Sequence, residues 1–425
     1  MNTLIKNALV IPMKNDGEFF YGDILIKNGK IAEVGEKIDF PADETIDAEG
    51  AIALPAFINA HTHLAMILMR NYKDDKENLQ EWLSEIFPIE DKLEADDIFK
   101  ASRAGVAELI KGGCTTFADM YFSAEETEKA VMEAGINASL GLTIFGDGEE
   151  TERRYLERLP KMKKNAESYG RITFTIAPHA IYTTEKDSYK KSKEYAEKEG
   201  FVVHTHLSET KKEVDDSLAE NGKSPLTYLK EIGALSRNNM ILAHGVHLTD
   251  EELEVVKEYG LSVINNPSSN MKLTSGALNV EKLIEMGINV ALGTDGASSN
   301  NNLNMLEEMH VAALSASLRG GKPIKAYDIL KMATINGAKA LSLESRLGTI
   351  ESGKDADIIL ISTKGLNMNP LNNPFSAIVY SASSEDITTV FSNGVKVLDD
   401  RKITYADESE IIKDVNAAWS AVTRR

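Results

Sequence analysis

The middle of the chain carries "GCTTFADM", "NASLGLTIFG", "RITFTIAPHA", "FVVHTHLSE", "NMILAHGVH", "LSVINNPSS" and "INVALGTDG", strand-like runs each preceded by a helical segment. Adding "AIALPAFINAHTH" ahead of them gives eight strands in a βα alternation. Parallel strands need crossover helices, and closing eight such units into a barrel buries both faces of the sheet. Functional groups then belong at the C-terminal ends of the strands. The helical segments fit this reading. Ile98, Ala101, Gly105 and Leu109 recur on one face before a Gly112-Gly113 stop. A further helical stretch from about Lys325 to Leu343 returns the chain from the barrel.

The two ends have a different character. "TLIKNALVIP", "GDILIKNGKIAEVG" and "ETIDAEGAIALP" read as short strands, with Asn28-Gly29 and Asp16-Gly17 as tight hairpin turns. "GKDADIILIS", "AIVYSA" and "ITTVFSNGVKVLD" repeat the pattern near the other end, with a turn at Asn393-Gly394. The expected organisation is an α/β chain. Residues 1–55 and 351–425 supply a small β domain built from both termini, and residues 56–350 form the barrel.

Charge and cysteine content narrow the chemistry. A formal charge of −19 and the lack of a Lys- or Arg-rich stripe argue against nucleic acid as a partner. Cys114 is the single cysteine, which excludes a disulfide framework, a four-cysteine zinc site and an iron–sulfur cluster. It also excludes the thiolate-ligated deaminase motif. Its apolar setting points to inert packing. The opening residues lack a basic segment followed by a long apolar core, and no run of about 18 apolar residues occurs. A cytoplasmic protein without membrane contact is expected.

Histidine placement is the strongest functional signal. Of 8 histidines, His61, His63, His179, His204, His206, His244 and His247 lie at or just beyond predicted strand ends, and only His310 falls in a helix. His61 and His63 are two residues apart, so an extended segment points both to one face. That pair alone fits a metal ion or two hydrogen-bonded buried imidazoles equally well. Asp295 occupies the same rim on the last strand. Several histidines and a carboxylate from separate strands suit a divalent transition metal such as zinc, with a position left open for water. Such a metal lowers the pKa of its water to about 7. Glu209, three residues after His206, could carry protons over the same pocket. Taken alone, it reads first as a helix N-cap partner after Ser208.

The ordered set "NAHTHL", "HTHLSET", "AHGVHL", "NNPSSNMKL", "GTDGASSNN" and "LGTIESGKDADIIL" resembles the amidohydrolase superfamily. Within it the chain is most similar to the methylthioadenosine/S-adenosylhomocysteine deaminases, from the first hairpin to about Gly394. The resemblance implies a distorted TIM barrel with a β-sandwich from both termini. It implies one divalent metal, zinc foremost with iron, manganese, nickel or cobalt as alternatives, held by His61, His63, His206 and Asp295. Two-metal relatives use a bridging carboxylated lysine or a glutamate, and neither "RITFTIAPHA" nor "NASLGLTIFG" supplies one, which favours a single metal.

The roles implied are specific. Asp295 would take a proton from the attacking water, His244 would hydrogen-bond the developing tetrahedral centre, and Glu209 would protonate the ring nitrogen. Glu90 would bind the ribose hydroxyls, although alone it reads as a first-turn helix acid. His179 would contact substrate, against a reading as a satisfied strand-end imidazole. Arg154 stands where relatives place a substrate arginine, with Arg153 as the competing register. Trp82 could wall the thioether side or simply sit in the core, and His204 remains a rival ligand. Relatives have Pro-Gly before the first metal strand where this chain has Pro55-Ala56, so an ordinary backbone angle is expected there.

The implied reaction is hydrolytic deamination of an adenine nucleoside, with a small-molecule partner and a homo-oligomer by family habit. Guanine or pterin deamination, or triazine dechlorination, on the same barrel is the nearest rival. A non-enzymatic barrel scaffold is the distant one.

Overall fold

A computed structural model of the protein describes residues 2–320 and 322–425. Eight parallel strands follow one another in sequence order around one sheet. They are Phe57–Thr62, Cys114–Asp119, Asn137–Ile144, Ile172–Pro178, Val202–Leu207, Met240–His244, Ser262–Asn265 and Asn289–Leu292. All are almost wholly buried, as strands covered on both faces must be. The last strand meets the first through Asp295 N–H, which donates to the His61 carbonyl at 3.1 Å. Asn59 reinforces the junction, accepting from Thr294 N–H at 3.1 Å and donating to Thr294 Oγ1 at 2.7 Å. Barrel closure therefore sets His61 and Asp295 side by side.

The crossover helices fall where the apolar spacing puts them. The helix Ala95–Lys111 buries Ile98, Ala101, Gly105 and Leu109 and ends at Gly112, with Gly113 at φ +79°. The Lys325–Leu343 segment is two short helices, Ala326–Met332 and Ile335–Ala340, parted at Thr334.

A second, nine-stranded sheet takes Asn2–Val10 through Ile52–Pro55 from one end and Ile358–Ile361 through Lys402–Ile403 from the other. The two halves join where Ile358–Ile361 runs antiparallel to Ile52–Pro55. Asn28-Gly29 and Asn393-Gly394 are two-residue turns with both residues at positive φ. They pack on each other so tightly that a Cβ on Gly29 would stand 2.8 Å from the Asn393 carbonyl oxygen. Asp16-Gly17 does not make a tight hairpin. It lies in the long connection between Val10 and Phe20, whose span leaves the dipeptide no register to set. Ala56 has no positive φ, and the chain passes straight from Ile52–Pro55 into the first barrel strand. Among the described residues, no helix is long and apolar enough to cross a membrane.

Candidate active site

Each barrel strand delivers its polar residue at the same rim. His61, near the end of the first strand, meets His206 of the fifth, His244 of the sixth and Asp295 beyond the eighth. One ligand atom from each of these four lies within 4.8 Å of the others. His63 reaches the same point: its Nε2 stands 3.2 Å from Asp295 Oδ1 and 3.2 Å from His206 Nε2. His61 Nε2 is 3.5 Å from Asp295 Oδ1.

The outer nitrogens fix which atoms face inward. His63 Nδ1 donates to the Met120 carbonyl at 2.5 Å, and His206 Nδ1 to the His179 carbonyl at 2.8 Å. A carbonyl only accepts, so in the neutral rings both Nε2 atoms present lone pairs to the centre. His61 Nε2 is buried and has no hydrogen-bond partner among the described residues. Several lone pairs and a carboxylate thus converge on one point, which fits a divalent cation. Burial lowers the His61 imidazole to about 4. Burial also lowers His63, but the hydrogen bond and charge of Asp295 outweigh it and raise the group to about 9. The carboxylate thus demands positive charge beside it.

Asp295 is itself held well below the usual carboxylate range. Burial opposes this, and the hydrogen bonds from His61 and His63 prevail. Its Oδ2 accepts from Ser269 Oγ at 2.6 Å and Ser299 Oγ at 3.0 Å, leaving Oδ1 for the histidines. Such outer partners orient a ligand and tune its basicity. The backbone is strained at the same places, with His244 at φ 74° and Asp295 at φ 59°.

Glu209 lies beside the cluster. Its Oε2 is 3.8 Å from His244 Nε2, and its Oε1 accepts from Ser275 Oγ at 3.1 Å. Burial is the largest influence on its carboxyl and pushes it upward, so it holds a proton more readily than an exposed glutamate. His244 Nδ1 donates to Asn270 Oδ1 at 2.7 Å, turning Nε2 toward Glu209. Glu209 is not a capping partner; Thr210 caps the following helix, accepting from Glu213 N–H.

Glu213 was not legible as a site residue. Its carboxylate accepts from Ser208 N–H and Glu209 N–H, both at 2.8 Å, and clamps the turn that aims Glu209. Ser208 sits at φ 51°, a conformation that needs such support. Glu213→Leu would leave two buried N–H groups unpaired. It is expected to destabilise the fold by about 1–3 kcal/mol per group, read as a lower midpoint in urea unfolding; an unchanged midpoint would contradict the clamp.

The remaining histidines have distinct duties. His204 Nε2 pairs with His61 Nδ1 at 2.8 Å, so it stands behind a ligand and outside the four-residue cluster. His179 Nδ1 pairs with Thr183 Oγ1 at 2.8 Å, while that hydroxyl donates to the Ala180 carbonyl. The hydroxyl proton is spent, so His179 Nδ1 donates and Nε2 is left as an acceptor. His247 Nε2 donates to the Ser275 carbonyl, steadying the loop that touches Glu209. His310 packs edge-on against Tyr380. Cys114 is inert, its thiol pushed up to about 12 by burial.

Beside the cluster a cavity of about 70 Å³, partly open to the surface, is lined by Trp82, Glu90, Phe145, His179 and Glu209, among others. Its roof is the helix Leu79–Glu90. Glu90 is the last residue of that helix and not a first-turn acid. Its Oε1 accepts from the Tyr121 hydroxyl at 2.7 Å, and burial raises its carboxyl to about 7. Trp82 is both core and wall: it is 4% exposed, yet Nε1 finds no partner among the described residues. Arg154 stays out of the lining. Its Nε pairs with Glu150 and its Nη1 with the Thr143 carbonyl, while Arg153 is exposed on Glu150.

Known proteins share this sequence and architecture. Residues 52–397 match the amidohydrolase family. The 5′-deoxyadenosine deaminase of Methanobrevibacter smithii is 42% identical, the match covering 98% of this chain and 97% of that protein. The 5-methylthioadenosine/S-adenosylhomocysteine deaminase of Caldanaerobacter subterraneus subsp. tengcongensis is 40% identical, again covering 98% and 97%. A zinc-bound adenosine deaminase from Xanthomonas campestris superposes with a TM-score of 0.95 at 29% identity, covering 100% of this chain and 99% of that one. With its histidine–aspartate cluster at the barrel rim and these full-length relatives, the chain belongs to the amidohydrolase family, beside its 5-methylthioadenosine/S-adenosylhomocysteine deaminases.

Proposed function

We propose that this protein is a metal-dependent hydrolytic deaminase of adenine nucleosides, acting on a small molecule in the cytoplasm. The observation that carries the reading is two carboxyl groups lining one cavity with the histidine–aspartate cluster, Glu209 beside His244 and Glu90 on the helix Leu79–Glu90. The names of the relatives, deaminases of methylthioadenosine, S-adenosylhomocysteine and 5′-deoxyadenosine, support it.

His61, His63, His206 and Asp295 would hold a single divalent ion, zinc by the likeness to the zinc-bound neighbour, with His244 of the same cluster left to the attacking water. When bound, the ion makes hydroxide available from water near neutral pH. The protein's own groups do the rest. Asp295 accepts a proton from the attacking water. Glu209, whose carboxyl burial pushes toward holding a proton, delivers that proton to ring N1 as oxygen adds to C6. His244, with Nδ1–H given to Asn270, accepts a hydrogen bond from the attacking water through Nε2 and orients it. The proton taken up by Asp295 passes to the amino group, which departs as ammonia, the C6 hydroxyl proton returns to Glu209, and the inosine analogue remains.

Glu90 and His179 present acceptors to the ribose hydroxyls, and Trp82 Nε1 supplies a donor to the nucleoside. Arg154 keeps its pairing with Glu150.

Glu90 separates a nucleoside enzyme from one acting on a free base. Glu90→Ala is expected to lower kcat/KM for nucleosides by about 10–100-fold while leaving any turnover of free adenine unchanged. Equal losses on both would overturn ribose recognition by Glu90.

A further inference from the structure

Glu308 is a buried carboxyl that the proposed reaction leaves without a task. It stands in the first turn of the helix Met305–Gly320, which follows the last barrel strand. Its neighbour Glu307 is exposed and meets the helix dipole from water, whereas Glu308 is 0% exposed. Burial pushes its carboxyl up to about 8. A methionine or leucine would fill the same space without the cost of burying an acid. What the acid adds is its hydrogen bonds.

Those bonds reach two different loops of the barrel rim. Oε2 accepts from Ser268 N–H at 3.2 Å, beyond the seventh strand, and Oε1 accepts from Asn300 Nδ2 at 2.7 Å, beyond the eighth. The same Asn300 amide donates to the Thr294 carbonyl at 2.9 Å, one residue before Asp295. Ser269 follows Ser268 directly, and Ser299 directly precedes Asn300. These are the two hydroxyls that donate to Asp295 Oδ2, at 2.6 and 3.0 Å. Glu308 thus spans the two loops that grip Asp295 from either side.

We infer that Glu308 is a positioning residue: by bridging Ser268 and Asn300 it holds Ser269 and Ser299 against Asp295 Oδ2, and so keeps Oδ1 turned to the histidine cluster. Resting on the deaminase reading above, the inference gives Glu308 no chemistry of its own, and the residue takes no part in the cavity lining. Its effect passes through the orientation of Asp295, as outer hydrogen bonds orient a metal ligand.

The test takes Glu308→Asp in the metal-loaded protein with methylthioadenosine as substrate. Aspartate keeps the acid but is one methylene short of spanning both donors. The variant is expected to fold with one metal per chain and to lose about tenfold in kcat, with KM unchanged within about twofold. It should also release its metal to a chelator about tenfold faster, a readout that needs no substrate. Glu308→Met, which removes both acceptors, is expected to lose at least as much.

A double-substitution background separates positioning from mere support of the fold. In Ser269→Ala/Ser299→Ala, adding Glu308→Asp is expected to cost less than about twofold in kcat, because the hydroxyls it positions are gone. A further loss of about tenfold in that background would overturn the inference. A wild-type kcat, or a wild-type rate of metal release, in Glu308→Asp would overturn it as well. Failure of both variants to fold with metal present would assign Glu308 to the fold alone and overturn it too. A wild-type protein inert with metal bound would instead overturn the deaminase reading, and the metal-release comparison would then decide the role of Glu308.

Discussion

Glu209→Gln is expected to lower kcat/KM on adenine nucleosides by about 10³-fold or more while the protein stays folded and keeps one metal per chain. The substitution preserves volume, and a glutamine oxygen can still accept from Ser275 Oγ. Ser208 and Glu213 still clamp the turn, because that clamp uses backbone N–H groups. What disappears is the transferable proton, and no other carboxyl lies as close to His244 Nε2 as the 3.8 Å of Glu209 Oε2 among the described residues. The loss should therefore fall on kcat, with KM little changed. A variant retaining wild-type rate would place the proton path elsewhere.

Metal removal has the second large effect. The stripped protein is expected to show no deamination and to recover it with one equivalent of divalent ion per chain. It should also melt earlier. Without a cation, the buried Asp295 carboxylate has only the His61 and His63 rings, at 3.5 and 3.2 Å, to offset its charge. An ion present at 1,000 times its Kd stabilises the native state by about 4 kcal/mol through mass action alone. Equal melting points and rates before and after chelation would contradict the metal assignment. The choice of ion is read from the same titration, by comparing zinc, manganese, iron, nickel and cobalt.

The barrel was legible because its signals are local and repeated. All eight strand runs fold as strands, since buried parallel strands read as continuous apolar stretches bounded by turns. The convergence of His61, His206, His244 and Asp295 was legible for the same reason: a polar residue at a strand's C-terminal end has one rim to occupy. Asn28-Gly29 and Asn393-Gly394 set hairpins because each joins its strands through two residues, whereas Asp16-Gly17, of equal local strength, is lost in a longer loop.

What escaped depends on three-dimensional partners. Glu213 looks like any surface glutamate of a charged helix until Ser208 and Glu209 are seen to donate to it. His204 and His206 share a strand face, and only the position of His61 puts one behind a ligand and the other beside the metal position. Arg154 has a family precedent, but Glu150 four residues earlier and the Thr143 carbonyl hold its guanidinium. Glu90 read alone as a first-turn acid because "WLSEIFPIEDKL" does not reveal that its helix begins at Leu79. Ser269, Asn270 and Ser299 sit inside "NNPSSNMKL" and "GTDGASSNN", and their small polar runs were the available sign of ligand support.

The most direct measurement is product formation by the purified, metal-loaded protein on methylthioadenosine, 5′-deoxyadenosine, adenosine and guanine. Ammonia release would be followed together with the adenine-to-hypoxanthine absorbance change. The account requires one ammonia per nucleoside consumed, a matching absorbance change on the adenosine compounds, and no reaction with guanine. Ammonia from guanine alone, or none from any compound with one metal bound per chain, would contradict it.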